Sequence, residues 1–337
     1  MEGESVLKNK IIRMVKVLAL VLVVLTISGT LNFALSPVTY GHWATHYRKE
    51  YSGKIDTVIL GDSFPMYAVQ PTLLDKEFEC FSFNESTASQ SIKESYYVLL
   101  DYLETEPVKT VYFGLDYYNF LASPEYQSEM SLHISYERIR SPKVKLSFLK
   151  EFVSFENIEN WIFPFKLHRE GILDVPGNIR SKLTNEYRNY LPLVSETYYY
   201  DKGYVYTDKV KDDVIGSFDM NEMNQEQIQW FEEIIKLCKE RGVTLNVFQI
   251  PNKQARIDAI KNYDVYCDMV NELAEKYGFR YYDFNFHTDR GTLDDDSCFY
   301  DAGHLNNKGS TIFMDWFCEA FSYKEDVTDK YFAGVTN

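Results

Sequence analysis

Two short blocks in this chain hold the residue types needed for acyl transfer. Gly61-Asp62-Ser63 follows an apolar run directly, and Asp301-Ala302-Gly303-His304 lies far downstream. A serine hydroxyl is a poor nucleophile until a base takes its proton. Histidine suits that work because its pKa lies near neutrality, and it needs a partner to fix its tautomer. Asp301, three residues before His304, is placed to be that partner. Each piece alone has a plainer reading: the tripeptide as a turn, Asp301 as a turn former, His304 as a solvated or capping residue. What favours the chemical reading is the pattern of elements around the blocks.

Residues 55–60 (IDTVIL) read as a buried strand ending at Gly61, which permits a tight turn. Further strands are predicted at 78–83, 109–115, 243–250 and 279–284. Helices are predicted at 88–105, 224–241, about 254–277 and 308–322, with Gly242 as a stop signal. This alternation predicts a parallel sheet covered on both faces. In such sheets ligands bind beyond the carboxyl ends of the strands. Ser63 follows the first strand and the Asp301–His304 block follows the last, so both fall on that edge. At the start of a helix, the Ser63 backbone N–H is also a candidate oxyanion donor. Residues 120–222 break the alternation and read as one large insertion.

The composition is that of a globular body, with 45% hydrophobic and 25% charged residues. A net charge of −15, without a basic cluster beyond residues 1–16, excludes a nucleic-acid binder. Five scattered cysteines form no CxxC pair, so neither a zinc site nor a disulfide framework is expected, and no cofactor is implied. Asp294, Asp295 and Asp296 read as a solvated acidic loop rather than a cation site, and Cys298 as a buried apolar cysteine. Within the insertion, Arg138, Arg140, Lys143, Lys145, Lys166, His168, Arg169 and Arg180 read as a solvated face or as contacts to an anionic polymer or lipid headgroups. The 27 Tyr and 23 Phe serve either as core or as flat platforms for amphipathic ligands such as sugars. Tyr198, Tyr199, Tyr200, Tyr204 and Tyr206 accordingly read as a substrate groove or as a strand packed on the main domain.

Residues 17–35 are nineteen residues without a charge, enough to cross a hydrocarbon core of ~30 Å as a helix. Lys8, Lys10, Arg13 and Lys16 precede them, which predicts a cytoplasmic N-terminus and a single-pass anchor with the body outside the cell. A cleaved signal peptide and a buried core helix are the alternatives. Residues 36–54 read as a connector, 55–325 as the main domain with its insertion, and 326–337 as a tail.

The paired blocks resemble those of the SGNH, or GDSL-type, hydrolase family, with His304-Leu305-Asn306 and Gly309 continuing the second block in that family's manner. The resemblance covers about residues 55–117 and 224–322. It implies a three-layer α/β/α flavodoxin-like sandwich and a catalytic Ser63, Asp301 and His304. The middle of the chain departs from the family pattern. Where the family often has Asn-x-Gly-x-Ser-Gly, this chain has Asn84-Glu85-Ser86-Thr87-Ala88-Ser89, so Ser89 takes the place of a glycine that donates its N–H to the oxyanion. Where the family often has Gly-x-Asn-Asp, Leu115 replaces the Asn, and an ionised Asp116 cannot donate. Ser63 and Ser89 are left as oxyanion candidates, with Asp62, Asn84 and Asp116 as candidate site-lining residues. A missing donor typically costs on the order of 10²–10³ in turnover.

The expected function is therefore a membrane-anchored serine esterase or acyltransferase acting on acetyl or D-alanyl esters of a cell-surface glycopolymer. The layout is similar to that of D-alanine transfer proteins and of proteins of polysaccharide O-acetylation. The glycopolymer or its acyl donor is the expected partner, with a membrane-bound acyltransferase as a further candidate. The competing expectation is a non-catalytic accessory protein that binds the polymer or such an acyltransferase.

Overall fold

A computed structural model of the chain describes residues 2–121, 129–191, 199–211, 215–294, 296–323 and 326–332. Five parallel strands form the central sheet: β1 Thr57–Leu60, β2 Ser82–Asn84, β3 Thr110–Leu115, β4 Thr244–Gln249 and β5 Arg280–Asp283, in the order β2-β1-β3-β4-β5. That is the flavodoxin-like order, with its switch point between β1 and β3. Helices cover both faces, so the α/β fold expected from the alternation is the one observed.

Strand periodicity divides the core in two. Val58 and Leu60 of β1, with Val111, Phe113 and Leu115 of β3, point to one side. Ile59 and Tyr112 point to the other, with Phe248 and Tyr282. The helices have labels α1 Glu2–Leu35, α2 Gly41–Glu50, α3 Ser63–Ala68, α4 Ile92–Thr105, α5 Glu129–Arg138, α6 Gln225–Arg241, α7 Tyr263–Tyr277 and α8 Asn307–Ser322. The first face is closed by apolar stripes of α4, α6 and α7, including Leu99, Phe231, Ile234 and Val270. The second is closed by α3, a helix at Pro71–Phe78 and α8, through Phe64, Leu74, Phe313 and Phe317. Burying each such side chain fully contributes about 1.5–3 kcal/mol.

Local chemistry explains where the expected boundaries move. Ser91 and Glu94 form a reciprocal capping box, so α4 starts at Ile92 rather than at 88. Pro71 opens a helix that runs up to Phe78, the first residue of the expected second strand, which begins only at Ser82, after Glu79 turns left-handed with φ 51°. The helix expected over 254–277 is broken. A short turn, Gln254–Asp258, is followed by Ile260–Lys261, which pairs with Phe218–Asp219. Asn262 at φ 54° then restarts the chain into α7.

The chain divides into two compact units. One comprises 40–150 and 192–337 and contains the sheet. The expected connector at 36–54 contains α2, which belongs to this unit because Trp43, Ala44 and Arg48 are buried in it. The Arg48 guanidinium pairs with Asp101 and lies 3.8 Å from the ring centroid of Tyr102. Arg138, read as part of a solvated face, is instead buried and paired with Glu85 at 3.3 Å. Arg140 pairs with Glu106 at 2.8 Å. Charge inside the body is thus neutralised locally. The expected tail contributes buried Val327 and Phe332, the latter bridged to His287.

The other unit comprises 1–39 and 151–191. The expected insertion is therefore shared between the two units. Among the described residues α1 alone is long and apolar enough to cross a membrane, over Leu7–Leu35, with 6% of its most apolar stretch buried. That exposure separates it from the core helix of a soluble body. Packed against α1 are a 3₁₀ segment, Pro164–Asp174, and a helix, Val175–Lys182.

Candidate functional site

The polypeptide leaves β1 through Gly61, which has φ 141°. A Cβ there would stand 2.5 Å from the Gly114 carbonyl oxygen and 2.6 Å from Pro65. A Cβ on Gly114 would stand 2.8 Å from Pro65. The two glycines let α3 begin immediately over the ends of β1 and β3, at the switch point. Asp62 is the N-cap, its Oδ1 accepting from the Phe64 N–H at 2.9 Å. Ser63 is the first residue of α3 and is part-exposed.

The second block is the tip of a tight loop. The Tyr300 N–H donates to the His304 carbonyl at 2.8 Å, and Phe299 bridges Leu305. The Asn306 side chain caps α8 at the Gly309 N–H, while a Cβ on Gly309 would stand 2.0 Å from the Cys298 carbonyl. The residues after His304 thus have a structural role: Asn306 starts the helix and Gly309 lets it approach the loop. The Lys253 N–H donates to the Ala302 carbonyl at 3.0 Å, tying this loop to the segment after β4.

Three side chains meet in series. Ser63 Oγ lies 2.7 Å from His304 Nε2. His304 Nδ1 lies 2.8 Å from Asp301 Oδ2 and 2.9 Å from Oδ1. Asp301 Oδ1 also accepts the backbone N–H groups of His304 at 2.8 Å and Gly303 at 3.0 Å. Burial alone would raise the Asp301 pKa. The hydrogen bond and charge of His304, with the two backbone donors, outweigh it and hold the carboxyl down to about 2. An ionised Asp301 fixes the Nδ1–H tautomer and leaves the Nε2 lone pair facing Ser63. Two aromatic rings contact the imidazole as well: Phe64 stacks on it at 4.5 Å, and Tyr67 lies tilted against it at 5.1 Å and stacks in turn on Tyr300. Such an arrangement can take a proton from a hydroxyl attacking a carbonyl and return it to a leaving group.

The remaining candidates divide. Asn84 is fully buried, and its amide donates to the Pro65 and Val69 carbonyls at 2.8 and 3.0 Å. It supports α3 from behind, a correction to its reading as a site-lining residue. Asp62 and Asp116 are brought together beneath Ser63. Burial pushes Asp62 up to about 8 and the neighbouring Asp116 carboxylate adds to it. Burial likewise raises Asp116 against the opposing charge of Arg256. Ser89 lies in an exposed turn at φ 58°, the left-handed conformation that glycine adopts without strain. Its turn follows Thr87, whose N–H donates to the Gly61 carbonyl at 3.3 Å. The Leu115 side chain is 1% exposed and carries no donor. Cys298 is buried. Asp294 bonds to the Asp296 N–H and the Ser297 hydroxyl, and no metal-ligand cluster exists among the described residues. Asp295 and Tyr198 lie outside the described residues. The strands Tyr199–Asp201 and Tyr204–Tyr206 form a hairpin, and Asn84 N–H donates to the Lys202 carbonyl, so this segment packs on the main domain.

Sequence reasoning missed Arg256 and Asn119. Arg256 lies 3.6 Å from Asp116, bonds to the Tyr117 hydroxyl and covers the Phe64 ring at 4.7 Å. A Cβ on Gly303 would stand 2.2 Å from its Nη1, so Gly303 makes room for a part-buried cation beside the loop. Asn119 Nδ2 donates to Asp62 Oδ2 at 3.0 Å. The Asn119 signal lay three residues beyond Asp116 in the sequence. Arg256 had none, because its position depends on the break at 254–262. Compared with known proteins, the chain matches no family model and no curated protein.

Proposed function

We propose that this protein is an SGNH-type serine acyl-transfer enzyme held at a membrane by α1. Ser63 is the nucleophile, His304 the general base and acid, and Asp301 the group that orients it. The observation that carries this reading is the unbroken series from Ser63 Oγ to His304 Nε2 at 2.7 Å and from His304 Nδ1 to Asp301 at 2.8 Å. In the forward step Ser63 Oγ attacks an ester carbonyl as its proton passes to His304. The leaving alcohol then takes that proton, and an acyl-serine remains for water or an acceptor hydroxyl. The first-turn N–H of Ser63 and the N–H of Ser89 are the oxyanion donors in this reading. The left-handed Ser89 supports it, since a glycine occupies that position in the family. The four cations before residue 17 favour a cytoplasmic N-terminus and an external body, where acetyl or D-alanyl esters of a glycopolymer are the substrates.

A fluorophosphonate probe should label the wild-type chain at Ser63, and Ser63→Ala should abolish labelling and hydrolysis of an aryl acetate. Equal hydrolysis by Ser63→Ala, with no labelling of the wild type, overturns the proposal. A specific observation favours the second reading, a non-catalytic accessory protein: the side chain at 115 is a buried leucine where a donor is wanted. Full rescue of an envelope phenotype by Ser63→Ala in a deletion strain would select it.

A further inference from the structure

We infer that residues 155–183 form a collar seated in the lipid interface, in the leaflet that holds the C-terminal end of α1. The inference goes beyond acyl transfer and rests only on α1 crossing a bilayer. The charge-free stretch 17–35 measures about 28 Å at 1.5 Å per residue, the full thickness of a hydrocarbon core. Its C-terminal end is therefore at the lipid boundary.

The unit containing α1 grips that end from the side. Ser28 Oγ donates to the Ile162 carbonyl at 3.3 Å, and Ser28 is buried. Seven residues later Leu35 O accepts from Asn178 Nδ2 at 3.1 Å, and a Cβ on Gly171 would stand 1.9 Å from that same oxygen. Lys182 Nζ donates to Phe33 O at 2.5 Å and to Ser36 O. The final carbonyls of a helix have no partner within it, and in a bilayer they are costly to leave bare. Here an amide and an ammonium from 178–182 satisfy them, and the cation suits the negative end of the helix dipole.

Contacts at Ser28 and Leu35 are about 10 Å apart along α1. The segment thus runs beside the last 10 Å or so of the apolar stretch, the depth to which interfacial helices sink. Its outward side chains match that level. Ile162 is 47% exposed, Ile172 70%, Leu173 87% and Leu183 59%. They are interspersed with four basic residues, Lys166, Arg169, Arg180 and Lys182, and four acidic ones, Glu156, Glu159, Glu170 and Asp174, with Lys166 paired to Glu159 at 2.5 Å. The segment thus carries no net charge, and its exposed apolar side chains supply the match to an interface. Continuity with the exposed apolar surface of α1 in the same unit argues for lipid as the occupant.

The test uses the full chain reconstituted in phosphatidylcholine–phosphatidylglycerol vesicles. Leu173→Trp adds a reporter at an exposed position, and Asn189→Trp adds one at an exposed polar position of the same unit. Acyl chains brominated near the headgroup should quench the emission added at 173 and leave that added at 189 unchanged. Vesicle flotation with equal, negligible quenching at both positions overturns the collar alone and leaves its apolar face to a membrane-protein partner. Failure of the chain to float overturns the reading of α1 and the collar with it.

Discussion

Replacing Asp301 by Asn separates holding the loop from orienting the histidine. Asp301 Oδ1 accepts the backbone N–H groups of Gly303 and His304, and an asparagine Oδ1 can accept the same two. The loop therefore keeps its shape. The other oxygen, 2.8 Å from His304 Nδ1, becomes an NH₂ group. Oδ1 lies 2.9 Å from Nδ1 but is already taken by the two backbone N–H groups, so facing the new NH₂ donor His304 turns its Nδ1 lone pair toward residue 301 and carries its proton on Nε2. That proton then points at Ser63 Oγ, 2.7 Å away, where a lone pair is needed. The base is lost with little change in shape. Inverting a tautomer in this way typically lowers turnover by about 10⁴-fold, or about 5.5 kcal/mol of transition-state stabilisation. The assay is the second-order rate of fluorophosphonate labelling at Ser63, with circular dichroism as the check on folding. A folded Asp301→Asn protein that labels within about tenfold of wild type would refute the tautomer argument.

Two further outcomes follow from buried charge. Arg48 and Asp101 are 1% and 0% exposed, so Arg48→Met leaves a buried carboxylate without its counter-cation, held only by the Arg140 and Ser141 N–H groups, and should cost about 3–5 kcal/mol in urea unfolding. Adding Asp101→Asn should recover part of that loss, and a single-variant cost below about 1 kcal/mol would contradict the pairing. Asp62 sets a pH dependence. Its pKa is raised to about 8 by burial, so its contribution to stability is full below about pH 4 and is lost as pH rises through 8. Unfolding of the wild type should grow easier between pH 5 and 9, with a shallower slope for Asp62→Asn; identical slopes would show that Asp62 is not the group responsible.

Much of the architecture was legible in the chain itself. The apolar runs IDTVIL and VTLNVFQI, closed by Gly61 and Pro251, mark buried strands. Boundaries that moved did so for local reasons visible afterward, such as the Ser91–Glu94 capping box and Pro71 at a helix start. The nineteen-residue apolar run needed only its length and its lack of charge. The positions of Ser63 and His304 on one sheet edge are also legible, since each follows a strand marked by its own apolar run.

What the linear chain left open are relations between segments remote in sequence. Arg138 lies among cations that read as a surface face, yet Glu85 faces it in the interior, and Asn84 follows a strand toward the site, yet its amide bonds to Pro65 and Val69. The cation beside the site, Arg256, is set there by the room left at Gly303 and by its pairing with Asp116. Composition and periodicity decide which face of an element turns inward. Which buried charge meets which, and that Ser63 Oγ comes within 2.7 Å of His304, is decided only when close packing sets the distances between elements.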